Sequence, residues 1–316
     1  MKKPLIKTVF RGTTLVAVVA LSTLASMALT NTASAVTVQI PPSKDNTLYQ
    51  NATGSLSNGA GWYFFVGRTG QVDNISRRRG VIAFRVADSI PPAATIQTVT
   101  LTLHMSRTFT STLRTIPLRK LLSDWGEGSS NAAGEEGSGA ASTTNSATWI
   151  HQFYNTDLWT TAGGDFSGTT SASISVSAIG FYTFGSTVQM VADVQDWLDD
   201  PANNFGWLLL GSEGLAATAK RFDTKENPTV ANRPILTVTY EPPCCVGIRG
   251  DVNDDGADGT ILDLNYMVND IFRGGPSSPC PQEADLDNNG TPSTITDLNF
   301  LVNDIFRGGP SAPACP

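Results

Sequence analysis

Two periodicities divide the chain. Between residues 98 and 105 the apolar Val99, Leu101, Leu103 and Met105 alternate with Thr98, Thr100, Thr102 and His104, the period of a strand with one face buried. His104 thus falls on the polar face. The same alternation returns at Ile82, Phe84 and Val86, at Ile174 and Val176, and at Leu236, Val238 and Tyr240. Through residues 36–241 these runs are separated by Thr, Ser, Gly and Pro, so the stretch predicts one mainly β domain, an antiparallel β-sandwich or jelly roll. A helix is expected over 191–198, stopped by Pro201. Residues 126–146 hold almost no apolar side chains and are expected to form a long, exposed, disordered loop.

At Glu241-Pro242-Pro243 the strand pattern stops. DLNYMVNDIFRGGP, starting at residue 263, recurs as DLNFLVNDIFRGGP, starting at residue 297, a tandem duplication. In each copy the apolar residues take helical spacing: Leu264, Met267, Val268, Ile271 and Phe272, then Leu298, Leu301, Val302, Ile305 and Phe306. Gly274-Gly275-Pro276 and Gly308-Gly309-Pro310 end the two helices. Helices this short are marginal alone, so their apolar faces should pack on each other. Residues 242–245 form a linker, and 246–316 a small all-α domain of two loop-helix repeats.

Charge and the chain's first residues change the picture. Lys2, Lys3, Lys7 and Arg11 precede an apolar run over 15–29 and the small residues Ala33-Ser34-Ala35, the order of a secretory signal peptide occupying residues 1–35. Cleavage there removes four basic and no acidic residues, taking the formal charge from −7 to −11. That balance argues against a nucleic-acid partner. No later segment reads as a membrane span, and the expected location is extracellular. The four cysteines, Cys244, Cys245, Cys280 and Cys315, all lie beyond residue 240 and are expected to staple the tail, the vicinal pair bonding outward to Cys280 and Cys315 in one of two pairings.

Each tail helix follows an acidic loop: Asp251, Asn253, Asp255, Gly256 and later Asp263, then Asp285, Asp287, Asn289, Gly290 and later Asp297. Oxygen ligands at positions 1, 3 and 5, a Gly at 6 and a late carboxylate make the ligand plan of an EF-hand-type calcium loop. The segment over 246–316 resembles the type I dockerins, with an Asp at the helix start and no entering helix. The resemblance implies two calcium ions, one held by Asp251, Asn253, Asp255 and Asp263, the other by Asp285, Asp287, Asn289 and Asp297. Ala257 and Thr291 would add backbone carbonyls, and a cohesin-like protein would be the partner. The late Asp stands one position later than in that family, at 13, which makes Asp258 a reserve ligand. Arg249-Gly250-Asp251 spells an adhesion tripeptide, discounted because Asp251 is needed as first ligand.

The larger module resembles the DNRLRE domain, related to the family 96 carbohydrate-binding modules. The resemblance rests on DNTLYQ from Asp45, RRGVIAFRVADSIPPAATIQTVTLTLHM from Arg78, WGEG from Trp125, WTTAGGDF from Trp159, VQDWL from Val194, NNFGWLLLG from Asn203, and RFDTKE with RPILTVTY. It implies a jelly roll that binds a polysaccharide, alginate-like acidic chains among the known ligands. Sugar recognition needs an aromatic face and polar groups around it. Trp62, Tyr63, Trp149, Trp159 and Tyr182 are candidates for the platform, and Arg68, Arg77, Arg78 and Arg79 for an anionic chain. Trp197 and Trp207, in apolar runs, are expected in the core. Glu127, Glu135, Glu136 and Asp165 lie in loops without a spacing that marks a catalytic pair, and His104 and His151 are the only histidines. A non-catalytic binding protein is the favoured reading, with a structural spacer next and a hydrolase or lyase third.

Overall fold

The computed structural model describes residues 35–315; the signal peptide expected over residues 1–35 lies, but for its last residue, outside them. The strands are β1 (Val36–Ile40), β2 (Lys44–Tyr49), β3 (Leu56–Ser57), β4 (Tyr63–Arg68), β5 (Arg77–Ala83), β6 (Thr95–Thr108), β7 (Arg114–Lys120), β8 (Ala140–Ala141), β9 (His151–Phe153), β10 (Asp157–Leu158), β11 (Ala172–Val176), β12 (Gly180–Phe184), β13 (Trp207–Leu209), β14 (Lys220–Asp223) and β15 (Ile235–Glu241). Among the described residues three α-helices accompany them: α1 (Val188–Asp199), α2 (Ile261–Arg273) and α3 (Ile295–Arg307). The protein is therefore mainly β. Eleven strands join in one antiparallel sheet ordered β1-β15-β6-β14-β4-β5-β13-β7-β11, with β12 added on β6 and β2 on β5.

The sheet curls at β4. Residues 63–66 of that strand pair with β14, while Gly67 and Arg68 pair with β5. Both halves then face one core, where Val99, Leu101, Leu103 and Met105 of β6 meet Ile116 and Leu118 of β7 and Trp207 of β13. α1 covers this core where the sequence placed a helix, and Thr187 caps it by accepting from the Met190 amide. Trp197 and Trp207 are fully buried, edge to face at 4.5 Å. Strand β5 stops at Ala83, short of Phe84 and Val86, yet both still reach the core.

A second core lies on the opposite face of β5 and β13. Leu208 points there while Trp207 and Leu209 point to the first, which is why the run WLLL shows no alternation. The connection from β7 to β11 folds over that face and supplies Trp125, Trp149 and Trp159. Residues 126–146 are thus ordered, against the expectation of disorder. They are held by polar contacts that a hydrophobic pattern does not reveal: the buried Glu136 carboxylate accepts from Asn58 Nδ2 (2.8 Å) and from the amides of Trp62 (3.1 Å) and Tyr63 (2.9 Å).

In the tail, α2 and α3 end in left-handed glycines, Gly274 and Gly308. Met267, Leu298 and Leu301 form a shared core with Val252, Ala284 and Leu286, separate from those of the β-module. Disulfides join Cys244 to Cys280 and Cys245 to Cys315, and Ile248 bridges Ala314, so both ends of the tail are tied. No helix among the described residues is long and apolar enough to cross a membrane.

Candidate functional site

The acidic loops of the tail share one hydrogen-bond plan. Asp251 accepts from the amides of Asp255 (2.9 Å) and Gly256 (2.7 Å); Asp285 accepts from Asn289 (3.0 Å) and Gly290 (3.2 Å). The turn that permits this needs a left-handed backbone, supplied at Gly256 (φ 87°) and Gly290 (φ 85°). The late carboxylates reach back across their loops despite standing at position 13. Asp263 accepts from the amides of Thr260 (2.8 Å) and Asn253 (3.2 Å), and Asp297 from those of Thr294 (2.9 Å) and Asp287 (3.2 Å).

Carboxylate oxygens of Asp285, Asp287 and Asp297 lie within 4.8 Å of one another. Pairs of like charges at such range repel by about 1 kcal/mol in water and several times that in a lower dielectric. A hard divalent cation reverses the sign, and an all-oxygen donor set suits calcium over zinc or copper. In the first loop Asn253 stands where the second has Asp287, so the equivalent positions carry two carboxylates and one amide. Asp258 lies near them, and burial together with the charges of Asp251 and Asp263 pushes its carboxyl above the usual range. Ala257 and Thr291 sit at the seventh position, their amides donating to Asp255 (3.0 Å) and Asn289 (2.9 Å).

Arg249 is a residue that sequence reasoning missed. It is buried and turned inward, donating to the Asp285 carbonyl (2.7 Å) and carboxylate (2.9 Å) and to Asn288 Oδ1 (2.7 Å). Its counterpart in the second repeat, Glu283, accepts from the Gly250 amide (2.9 Å) beside the first loop. Each repeat therefore braces the other's loop. The inward Arg249 also removes the adhesion tripeptide from the surface, and Glu283 lies against two cysteines whose sulfurs are already in disulfides.

In the β-module the proposed platform comes apart. Trp149 and Trp159 are 7% and 5% exposed in the second core, so neither can offer a ring to a glycan. Arg78 is buried as well, its guanidinium donating to the carbonyls of Ile75 (2.9 Å) and Arg77 (2.8 Å) over the Tyr49 ring. Arg68 pairs with Asp73 and Arg79 with Glu213, and the Tyr182 hydroxyl holds the turn at Ala178. Trp62 remains exposed, and Tyr63 lies under Arg221, whose guanidinium sits 3.7 Å from the ring centre.

Beside Tyr63 opens a groove of about 470 Å³ lined by Phe65, Arg107, Phe109, Glu135 and Arg221. Glu135 pairs with both arginines, Arg107 first, which hold its carboxyl below the usual range. Phe109 is largely exposed. Arg107 falls in the apolar phase of the β6 alternation, two residues after Met105, and a register shift between Arg221 and Phe222 interrupts the ladder there; Arg221 opens RFDTKE, and only folding puts the two arginines together. The loop acids do not form a pair: Glu136 is internal, Asp165 accepts from the amides of Thr160 and Thr161 (both 2.8 Å), and Glu127 stands with other partners. No protein-family model matches the chain, and no curated protein matches it.

Proposed function

We propose that this is a secreted, non-catalytic polysaccharide-binding protein whose dockerin-like tail takes two calcium ions and docks a protein partner of the cohesin kind. The observation that carries the reading is the paired loop geometry, with Asp285, Asp287 and Asp297 gathered within 4.8 Å at the start of a helix. The first-loop residues Asp251, Asn253, Asp255 and Asp263 take the same roles. Exposed Ile261, Leu262, Ile295, Phe272 and Phe306 leave apolar positions at both ends of the helix pair for a partner. The two disulfides favour an oxidising compartment.

The curled sheet is read as the two leaves of a β-sandwich, and the groove of Arg107, Arg221 and Phe109 as its glycan site, with Trp62 and Tyr63 alongside. Two cations against one Glu135 suit a chain bearing carboxylates. Affinity electrophoresis of the mature chain in gels of acidic and neutral polysaccharides tests this. Retardation by an acidic chain, weakened by salt and by Arg107→Ala, is expected; equal mobility in every gel at low salt would replace this reading with a structural spacer.

A further inference from the structure

Away from the groove and the tail, three segments remote in sequence bring acids together: Asp45 in β2, Glu127 in the turn after Trp125, and Glu226 just past β14. One carboxylate oxygen from each lies within 4.8 Å of the others. Asp45 is fully buried. Its amide donates to Glu127 Oε1 (2.9 Å), its Oδ2 accepts from the Lys225 amide (2.8 Å), and its Oδ1 has no hydrogen-bond partner among the described residues. Glu226 Oε2 is buried and unpartnered in the same way.

Buried polar oxygens are rarely left without a partner, and buried carboxylates less often still. The cation that reaches this cluster is Lys225, whose Nζ lies 3.2 Å from Glu127 Oε1 and also meets Glu226 Oε1. One ammonium against three carboxylates leaves an excess of negative charge in a place of low dielectric. Burial first, then the charge of Glu226, raises the Asp45 carboxyl well above its usual range, and burial raises Glu127 too. The cluster is also rigid. Glu127 is fixed at both ends, its carbonyl by Asn46 Nδ2 (2.9 Å) and its side chain by the Asp45 amide. Its donors are all oxygens, which select a hard cation.

We propose that Asp45, Glu127 and Glu226 form a further cation site, in the β-module, for a divalent ion of the calcium type. Such an ion receives the two orphan oxygens and ties the Trp125–Glu127 turn to β2 and to the segment after β14. Lys225 then moves its ammonium toward solvent. The site stands apart from the tail loops and does not rest on their reading.

The test uses the mature full-length chain carrying Asp251→Ala and Asp285→Ala, which disables the first ligand of each tail loop. Calorimetric titration with calcium should still find one site. Glu226→Gln on that background should weaken it by roughly a hundredfold, the upper end of what even outer-shell partners contribute. Asp45→Asn should do the same; if it fails to fold, Glu226→Gln decides, since Glu226 is partly exposed. Terbium supplies an address, because every tryptophan lies in the β-module and Trp125 stands two residues from Glu127. Tryptophan-sensitised terbium emission should appear in this background, fall on adding calcium, and be lost in Glu226→Gln. Absence of calcium heat, or heat and emission unchanged by Glu226→Gln, would overturn the site and leave a proton on Asp45 as the answer to its burial.

Discussion

Glu136 illustrates how one side chain can order a polar loop. Replacing it by Ala leaves the Asn58 amide and the Trp62 and Tyr63 N–H groups without their acceptor. The expected loss is about 3 kcal/mol, read as a lower urea midpoint, with Gln recovering part of it. His151 makes a pH prediction. It is buried, with Nδ1 3.0 Å from the Thr148 hydroxyl, and burial lowers its pKa from an ordinary value of about 6.5. The folded state therefore resists protonation while the unfolded state accepts it. Stability is fully present above about pH 6.5 and falls as pH drops from there toward the lowered folded value. Urea midpoints across that window should fall more steeply in the wild type than in His151→Gln; parallel slopes would exclude His151 as the cause. These residues also mark the limit of reading from sequence. Trp149 and Trp159 advertise apolar area, but nothing local says whether an aromatic ring covers a second core or faces a sugar.

Elements were legible where one face is wet. β6 and β15 alternate and were found, and the tail helices announced themselves by spacing and by glycine stops. β13 is buried on both faces, so its period is lost, and residues 126–146 fold through hydrogen bonds that leave no apolar signature. The acidic loops could be read position by position, yet their cross-bracing could not, because Arg249 and Glu283 act on the other repeat. That bracing carries a prediction. Arg249 fixes Asp285 and Asn288 from outside the second loop, and partners of this kind tune metal affinity by about 10- to 100-fold. Arg249→Ala should weaken the second-loop ion by that factor and leave the first within about threefold, as resolved by calorimetry in an Asp251→Ala chain for one loop and an Asp285→Ala chain for the other. Equal weakening of both would indicate general loosening of the tail.

At the scale of the molecule, the two cores of the β-module and the small core of the tail share one chain. The β-module draws on nonlocal pairing across the whole curled sheet, whereas the tail core rests on a handful of buried side chains around Met267 and Leu301. So small a core is marginal without staples. Its staples are the disulfides and, on the reading above, the ions, whose binding free energy contributes directly to folding because the converged loops do not exist in the unfolded chain. Two unfolding transitions are therefore expected by calorimetry. Chelation together with reductant should abolish the tail transition and remove the circular dichroism of α2 and α3. Chelation alone should only lower it, because the links from Cys244 and Cys245 still restrict the unfolded tail. The β-module transition should survive both treatments, shifted downward by chelation in the wild type and unshifted in Glu226→Gln. A tail whose helical signal persists in chelator and reductant would mean that α2 and α3 stand on their own packing, and that calcium has no part in the fold.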